Sequence, residues 1–328
     1  MKKSVSILDV AQLAGVSKST VSRVLNNSYG ISENAKEKVL KAVEELKYRP
    51  NMSARHLRNN TNKQLGVLVP LNLSGDFMYQ MNSEKIQSIV KSAKDIGYDI
   101  LLFVEDTSNS EVLCNIIMEK GIAGILLLDT VPPEVLQHLY NYKIPYVQIN
   151  WYISDYKNQL YVKTDLAKAT IMALDVLISK GCTDIGLIQY EDRSMKDSVI
   201  VKAFTEYVNR CGLKSSCSIW NMDSEYENVE DFLTKTKKHA YISYSYPDSV
   251  RIIEYCRKNN IRIPQDLKLI SYEFFEFFDY LHPKLTGIKQ NGEEMGKKAV
   301  EKLVSLIEGN KNVESELISP KIVFRETC

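Results

Sequence analysis

Hydrophobic and polar positions change rhythm twice along the chain. Near the start, Ile7, Val10, Ala11 and Ala14 recur at helical spacing behind Ser6-Ile7-Leu8-Asp9, a capping-box pattern with Ser6 as N-cap and Asp9 in the first turn. Gly15 follows as a residue that can close a helix in the left-handed conformation. Ser17 then caps a second, short helix running to about Leu25. At about 100° per residue, Val21, Val24 and Leu25 share one arc of that helix, while Lys18, Ser19, Ser22 and Arg23 share the other. Ser32 opens a third helix, whose Val39, Val43 and Leu46 stripe can close a three-helix core. Its other faces mix Lys36, Lys38, Lys41 and Lys47 with Glu37, Glu44 and Glu45, which reads as a solvated surface.

The rhythm stops over residues 50–64. There Asn51, Asn59, Asn60, Asn62, Arg55, Arg58 and Lys63 surround only three aliphatic side chains, those of Met52, Ala54 and Leu57. Such a segment buries too little surface to hold itself folded, and by itself it reads as a tether. From residue 65 onward, strand and helix signals alternate. Leu65–Val69, Ile100–Val104, Ile122–Leu128, Tyr146–Ile149 and Tyr161-Val162 read as strands, as do Ile185–Ile188, Ile219-Trp220, Ala240–Ser243 and Leu267–Ile270. Between them lie helical stripes such as Ile86, Ile89, Val90 and Ala93, or Leu166, Ala169, Ala173, Leu174 and Leu177. Strict alternation predicts parallel sheets covered on both faces. About 264 residues of this pattern suit two doubly wound lobes better than one large sheet, with ligands held at strand carboxyl ends between the lobes.

Charge sharpens the division. The net charge of +1 is an average, because residues 1–64 carry twelve basic and five acidic side chains, +7, and the remaining 264 residues carry −6. A basic head on an acidic body suggests a polyanionic partner for one end only. On the second helix, one arc is buried and the other is small, basic and hydrogen-bonding, which suits insertion into a DNA major groove. Arg23 is the side chain best shaped to fork onto guanine, with Lys18 and Ser19 at the leading end.

Several classes drop out. No apolar run approaches the length of about 18 residues that a membrane span needs, and Asp9 and Gln12 interrupt the apolar stretch a leader peptide would require, which points to the cytoplasm. The six cysteines form no CxxC, and no His stands at zinc-finger spacing, so they read as reduced, mostly buried thiols. No cofactor motif is present: the first strand exits into Pro70-Leu71-Asn72-Leu73-Ser74-Gly75, and Gly292-Glu293-Glu294-Met295-Gly296-Lys297-Lys298 imitates a phosphate loop but is one residue short and lacks the Ser/Thr for magnesium. That segment reads instead as a helix with Met295, Ala299, Leu303 and Leu306 inward. With His56, His138, His239 and His282 scattered and no HExxH or GxSxG, an enzyme is not expected.

The head carries a resemblance. Ser6–Ala11, Ala14-Gly15-Val16-Ser17, Thr20–Asn26, Tyr48-Arg49-Pro50-Asn51 and Ala54-Arg55-His56-Leu57 stand in register with the lactose/galactose repressor (LacI/GalR) family. Behind the head, Gly66–Pro70, Gly97-Tyr98, Ile144-Pro145, Lys180-Gly181, Ile263–Asp266 and Leu285-Thr286 resemble landmarks of that family's sensor domain, which is related to periplasmic sugar-binding proteins. The resemblance implies an all-α helix-turn-helix head over 1–49, a hinge over 50–64 and an effector-binding, dimerising α/β body over 65–328. In that body an N-lobe takes about 65–163 and 291–317, and a C-lobe about 164–290 and 318–328. It implies that Lys18, Ser19, Thr20, Ser22, Arg23 and Asn26 face DNA, and that the hinge orders as a helix in the minor groove with Leu57 as a wedge between bases and Arg55 and Arg58 near phosphates.

The resemblance breaks where the family grips its sugar. Asn150-Trp151 stands where an Asp or Asp-Arg pair is typical, Ile200 replaces a helix Arg, Ser245-Tyr246 an Asn-Asp pair, and Glu273 a later Asp; Gln290 is retained, and Phe77 completes the candidate set from the N-lobe. A guanidinium and a carboxylate are lost and aromatic surface is gained. The expected function is a homodimeric repressor of a near-palindromic operator, controlled by a small, sugar-like effector in the cleft. Control by a protein corepressor or a non-sugar ligand is the alternative that the replacements leave open. No heptad tail follows Phe324-Arg325, so nothing points to a tetramer.

Overall fold

The computed structural model describes residues 7–25, 32–46, 63–70, 76–105, 109–128, 131–150, 159–188, 199–213, 217–220 and 228–328. The chain divides into two compact units, Met1–Lys63 and Gln64–Cys328. In the first, α1 (Ile7–Ala14), α2 (Lys18–Leu25) and α3 (Glu33–Glu45) enclose Val10, Ala11, Ala14, Val21, Val24, Val39 and Ala42. Gly15, at φ +65°, stops α1 as its position in the sequence suggests. Ser17 Oγ accepts from the Thr20 N–H at 3.1 Å and starts α2. The stripe of α3 is shifted: Ala42 is buried, whereas Val43 and Leu46 pack only at the margin. In a three-helix unit this small, a Cβ methyl fits where the helices approach closely and the longer side chains close the rim. Ser6 and the side chain of Leu25 lie outside the described residues.

The second unit holds two six-stranded sheets. Its elements run β1 (Gln64–Pro70), α4 (Asp76–Asp95), β2 (Asp99–Glu105), α5 (Ser110–Lys120), β3 (Gly124–Leu128), α6 (Pro133–Asn141), β4 (Tyr146–Ile149) and β5 (Tyr161–Thr164). They continue as α7 (Leu166–Ser179), β6 (Ile185–Ile188), α8 (Val199–Arg210), β7 (Ser218–Trp220), α9 (Val229–Thr236), β8 (Ala240–Ser243), α10 (Tyr246–Lys258) and β9 (Lys268–Ser271). After a 3-10 turn at Glu276–Tyr280 come β10 (Thr286–Lys289), α11 (Gly292–Ile307), β11 (Glu316–Ile318) and β12 (Lys321–Val323). The first sheet has the order β11-β5-β4-β3-β1-β2 and the second β12-β10-β9-β8-β6-β7.

Among the described strands every pairing is parallel except β10 with β12. That antiparallel edge corrects the expectation of purely parallel sheets. After α11 the chain adds β11 to the first sheet and then turns within two residues, Ser319-Pro320, to lay β12 along the second. The direction of β12 follows from its entry into the second sheet out of β11 in the first, which lays it along β10 head to tail.

Helices cover both faces of the first sheet. Leu65, Val67 and Val69 meet Ile89 and Ala93 of α4 and Met295, Ala299 and Leu303 of α11; Leu68, Ile125 and Leu127 meet α5 and α6 on the other side. All five residues of β3, Gly-Ile-Leu-Leu-Leu, are buried, and each large aliphatic side chain so buried contributes about 1.5–3 kcal/mol. The expected stripe on α4 needs correction, because Val90 is 44% exposed while Asn82, Lys85 and Ser88 are buried. The cause is α11: a Cβ on Gly296 would lie 2.7 Å from the Lys85 carbonyl oxygen and 2.8 Å from Ser88 Cβ. The two helices touch through backbone there, so the contact selects small or hydrogen-bonded groups. Ser88 Oγ donates to the Glu293 carbonyl at 2.5 Å across it. Among the described residues no helix is long and apolar enough to cross a membrane.

Candidate DNA-reading helix and effector cleft

On α2 the arcs separate as the spacing requires. Val21 and Val24 are buried, Lys18, Ser19 and Arg23 are exposed, and Thr20 is intermediate. The hydroxyls of Ser17, Ser19 and Thr20 lie within 2.7–2.8 Å of one another through Ser17 Oγ, so the leading end of the helix presents a fixed polar cluster beside Lys18. The Ser22 side chain, Asn26, and Arg55, Leu57 and Arg58 of the hinge lie outside the described residues.

In the body, a pocket opens where the two lobes meet. Glu84, Lys85 and Gly292 line it from α4 and α11, and Glu273, Phe274, Phe275, Lys289 and Gln290 from the second lobe and its connection. Lys289 Nζ reaches Glu84 Oε1 at 3.4 Å, an ion pair between β10 and α4. The same ammonium lies 5.5 Å from the Phe274 ring centroid, and the Arg325 guanidinium lies 4.6 Å from it, so the ring meets two cations.

Glu273 is the chemically distinctive wall of this pocket. The Tyr246 N–H, first in α10, donates to its Oε2 at 2.5 Å. Burial pushes the Glu273 carboxyl up to about 7; the nearby Asp248 carboxylate pushes the same way, and the Tyr246 hydrogen bond opposes both. Asp248 is itself held by Ser245 Oγ at 2.6 Å and by Arg251 at 2.8 Å. Gln290 Oε1 is buried with no partner among the described residues, a group left ready for a ligand.

The expected effector residues scatter. Glu273 and Gln290 share the pocket, whereas Tyr246 only holds Glu273 through its backbone N–H while its ring packs edge-on against Phe275 and Phe277. Ser245 is the N-cap of α10, its Oγ accepting from the Asp248 N–H. Ile200 is 2% exposed in the apolar core with Phe204 and Leu187, so an aliphatic side chain there belongs to the core. Asn150 ends β4 in the left-handed region at φ 81°. Trp151 and the side chain of Phe77 lie outside the described residues. Glu84, Lys85, Phe274 and Lys289 were not expected. The signal for the first two is a helical face on which Asn82, Lys85 and Ser88 interrupt the apolar stripe where a ligand-facing cleft begins.

A helix-turn-helix head on a two-lobed, ligand-cleft body defines a DNA-binding transcriptional regulator, and comparison with known proteins agrees. Residues 6–51 match the description "Bacterial regulatory proteins, lacI family", and residues 174–328 match "Periplasmic binding protein-like domain". The chain is 29% identical to the HTH-type transcriptional regulator RegA of Clostridium saccharobutylicum, over 95% of this chain and 97% of that protein. It is 27% identical to the HTH-type transcriptional repressor PurR of Vibrio parahaemolyticus, over 98% of each. The lac repressor dimer bound to operator and the anti-inducer ONPF superposes with a TM-score of 0.79 at 21% identity, covering 99% of both chains. The regulator CelR in complex with cellobiose gives 0.70 at 22% identity, over 99% of this chain and 100% of that one. The chain thus joins a LacI-family helix-turn-helix domain to a periplasmic-binding-protein-like domain, the arrangement of the transcriptional regulators it resembles.

Proposed function

We propose that this chain is a cytoplasmic, homodimeric repressor that binds a near-palindromic operator and is released from it, or held on it, by a small effector in the inter-lobe cleft. The observation that carries the reading is the two-sided α2, with Val21 and Val24 buried and Lys18, Ser19 and Arg23 exposed. Lys18, Ser19, Thr20, Ser22, Arg23 and Asn26 would face the major groove, with Arg23 forked onto a guanine. Arg55, Leu57 and Arg58 would serve the hinge in the minor groove. A two-fold dimer doubles the contacts of a helix only eight residues long and repeats the half-site with inverted symmetry. The dimeric assembly of the lac repressor supports this, as do Leu102 and Val104, half-exposed on the β2 edge, and Val90 on α4.

For the effector, Glu273, held by the Tyr246 N–H, and Gln290 supply polar contacts beside Phe274, and Asn150 and Trp151 are assigned to the same site. The cellobiose complex of CelR supports a sugar-like molecule. A ligand that bridges the lobes shifts the population in which paired hinges fit DNA. Selection of binding sites from random DNA tests the first half of the reading: two inverted copies of one half-site are expected, and enrichment of a single unrepeated site would exclude the symmetric dimer. Calorimetry against sugars and sugar phosphates tests the second. Absence of heat from all of them, with operator affinity unmoved, would favour a protein corepressor.

A further inference from the structure

The chain passes between the two sheets three times: from β5 to β6, from β10 to β11 and from β11 to β12. The first and third passages lie side by side. There the Asp165 N–H donates to the Ile318 carbonyl at 2.9 Å, and Lys168 Nζ donates to Ser319 Oγ at 3.0 Å. The second passage, Gln290-Asn291, leaves β10 at Lys289 and enters α11 at Gly292, beside the pocket. A side-chain contact bridges it. Lys289 belongs to the second sheet, and its ammonium reaches forward to Glu84 Oε1 on α4 of the first lobe at 3.4 Å.

Each partner stands on a firm frame. Glu84 packs on the start of α11, where a Cβ on Gly292 would lie 3.0 Å from its Oε2 and 3.2 Å from its Cβ. Behind Lys289 stands the Phe274 ring, met from Arg325, whose Nε donates to Asp279 at 2.7 Å. The segment that carries Phe274 lies against β10, since a Cβ on Gly287 would clash with the Glu273 carbonyl oxygen. Passages of a few residues join two lobes but leave rotation about them. A contact that spans a passage from one frame to the other acts on that rotation. Both side chains are partly exposed, so the pair is worth about two- to fivefold in an equilibrium. That is little for stability, yet enough to bias two lobe arrangements of similar free energy. We propose that Glu84 and Lys289 are positioning residues, whose ion pair across the second passage holds the angle between the lobes. The consequence for DNA rests on the reading of the chain as a repressor whose lobe angle governs its hinges: losing the pair shifts operator affinity with no effector present.

The test uses full-length protein with nitroxides on Lys91→Cys of α4 and on Cys211 after α8, both exposed positions, one in each lobe. Cys217→Ser removes the half-buried thiol, and labelled chains are diluted into unlabelled ones so that each distance is read within one chain. Pulsed electron resonance then gives the distances between the lobes. Glu84→Gln and Lys289→Gln should change the ratio of the distance populations alike, by about two- to fivefold. The double variant should go no further than either single one, and the exchange of Glu84→Lys with Lys289→Glu should restore the original distances. Lys289→Arg, which keeps the charge, should leave them in place. Distances unmoved in both single variants, or effects that simply add, overturn the proposal. Operator affinity is measured on the same variants, with DNA obtained by selection. A change in the same direction in both single variants, cancelled in the exchange, supports the link to DNA. Equal and opposite changes, the signature of net charge alone, or none at all, beside distances that respond as expected, keep the positioning pair and remove control by the lobe angle from the functional reading.

Discussion

Glu273 shows how one methylene changes the chemistry of a wall. Its longer arm lets the carboxylate cap the Tyr246 N–H while staying within the pocket, and burial then favours the neutral form. Its folded pKa lies above the ordinary carboxylate value, so the folded state holds the extra proton, and stability is lost as pH rises from about 4.5 through about 7. Glu273→Gln keeps an acceptor for Tyr246 and removes the charge. It should therefore stabilise the body by about 1–3 kcal/mol at pH 8 and by nothing measurable at pH 4, as read from urea unfolding at the two pH values. A gain that is equal at both would mean that packing, and not ionisation, separates the two side chains. In the head, Arg23→Ala should weaken the selected operator by about 1–3 kcal/mol and leave random DNA much less affected. Competition binding with both DNAs measures the difference, and equal losses would reduce Arg23 to a phosphate contact.

At Gly296, helix α11 lies against α4 through backbone and not through interlocking side chains. Gly296→Val should cost about 1–3 kcal/mol of unfolding free energy, since the Lys85 carbonyl cannot move without bending α4. Lys297→Ala, one residue away on a solvated side chain, is the control and should stay within about 0.5 kcal/mol. This contact also explains what the sequence hid. Alternation and helical spacing reveal elements whose partners are apolar, and so α1, α2, β1, β3, β6 and α7 were legible in Val10, Val21, Leu65, Leu126, Ile185 and Ala173. The buried face of α4 was not, because Lys85 and Ser88 read as solvent-facing until Gly296 is known to lie against them. The short strands β10, β11 and β12 were missed for a related reason: three or four residues give too few alternations to stand out, and β12 owes its place to the turn at Ser319-Pro320. At the cleft, Glu273 and Gln290 had been singled out through the family's motif, whereas Lys289 matches no motif and emerges only when the fold brings Glu84 and Phe274 near it.

Over the whole molecule, the charge of +1 resolves into a +7 head with its hinge and a −6 body. Such a division confines attraction for DNA to one end and leaves the body repelled by it. Operator affinity should then fall steeply with salt. If a dimer makes about six to ten phosphate contacts, the loss between about 50 and 200 mM salt is roughly 10³–10⁵-fold. Fluorescence anisotropy across that range measures the slope, and a flat response would remove the mechanical meaning of the division. The last two strands have a consequence of another kind. One outer strand of the first sheet is β11 and one of the second is β12, both drawn from residues 316–323. On the ribosome, therefore, neither lobe can complete its sheet until residues 316–323 have been made. The core of the head, from Val10 to Ala42, can close while most of the chain is still unmade. The head of the newborn chain can fold well before the body, and the two lobes complete their sheets together, through one stretch of eight residues.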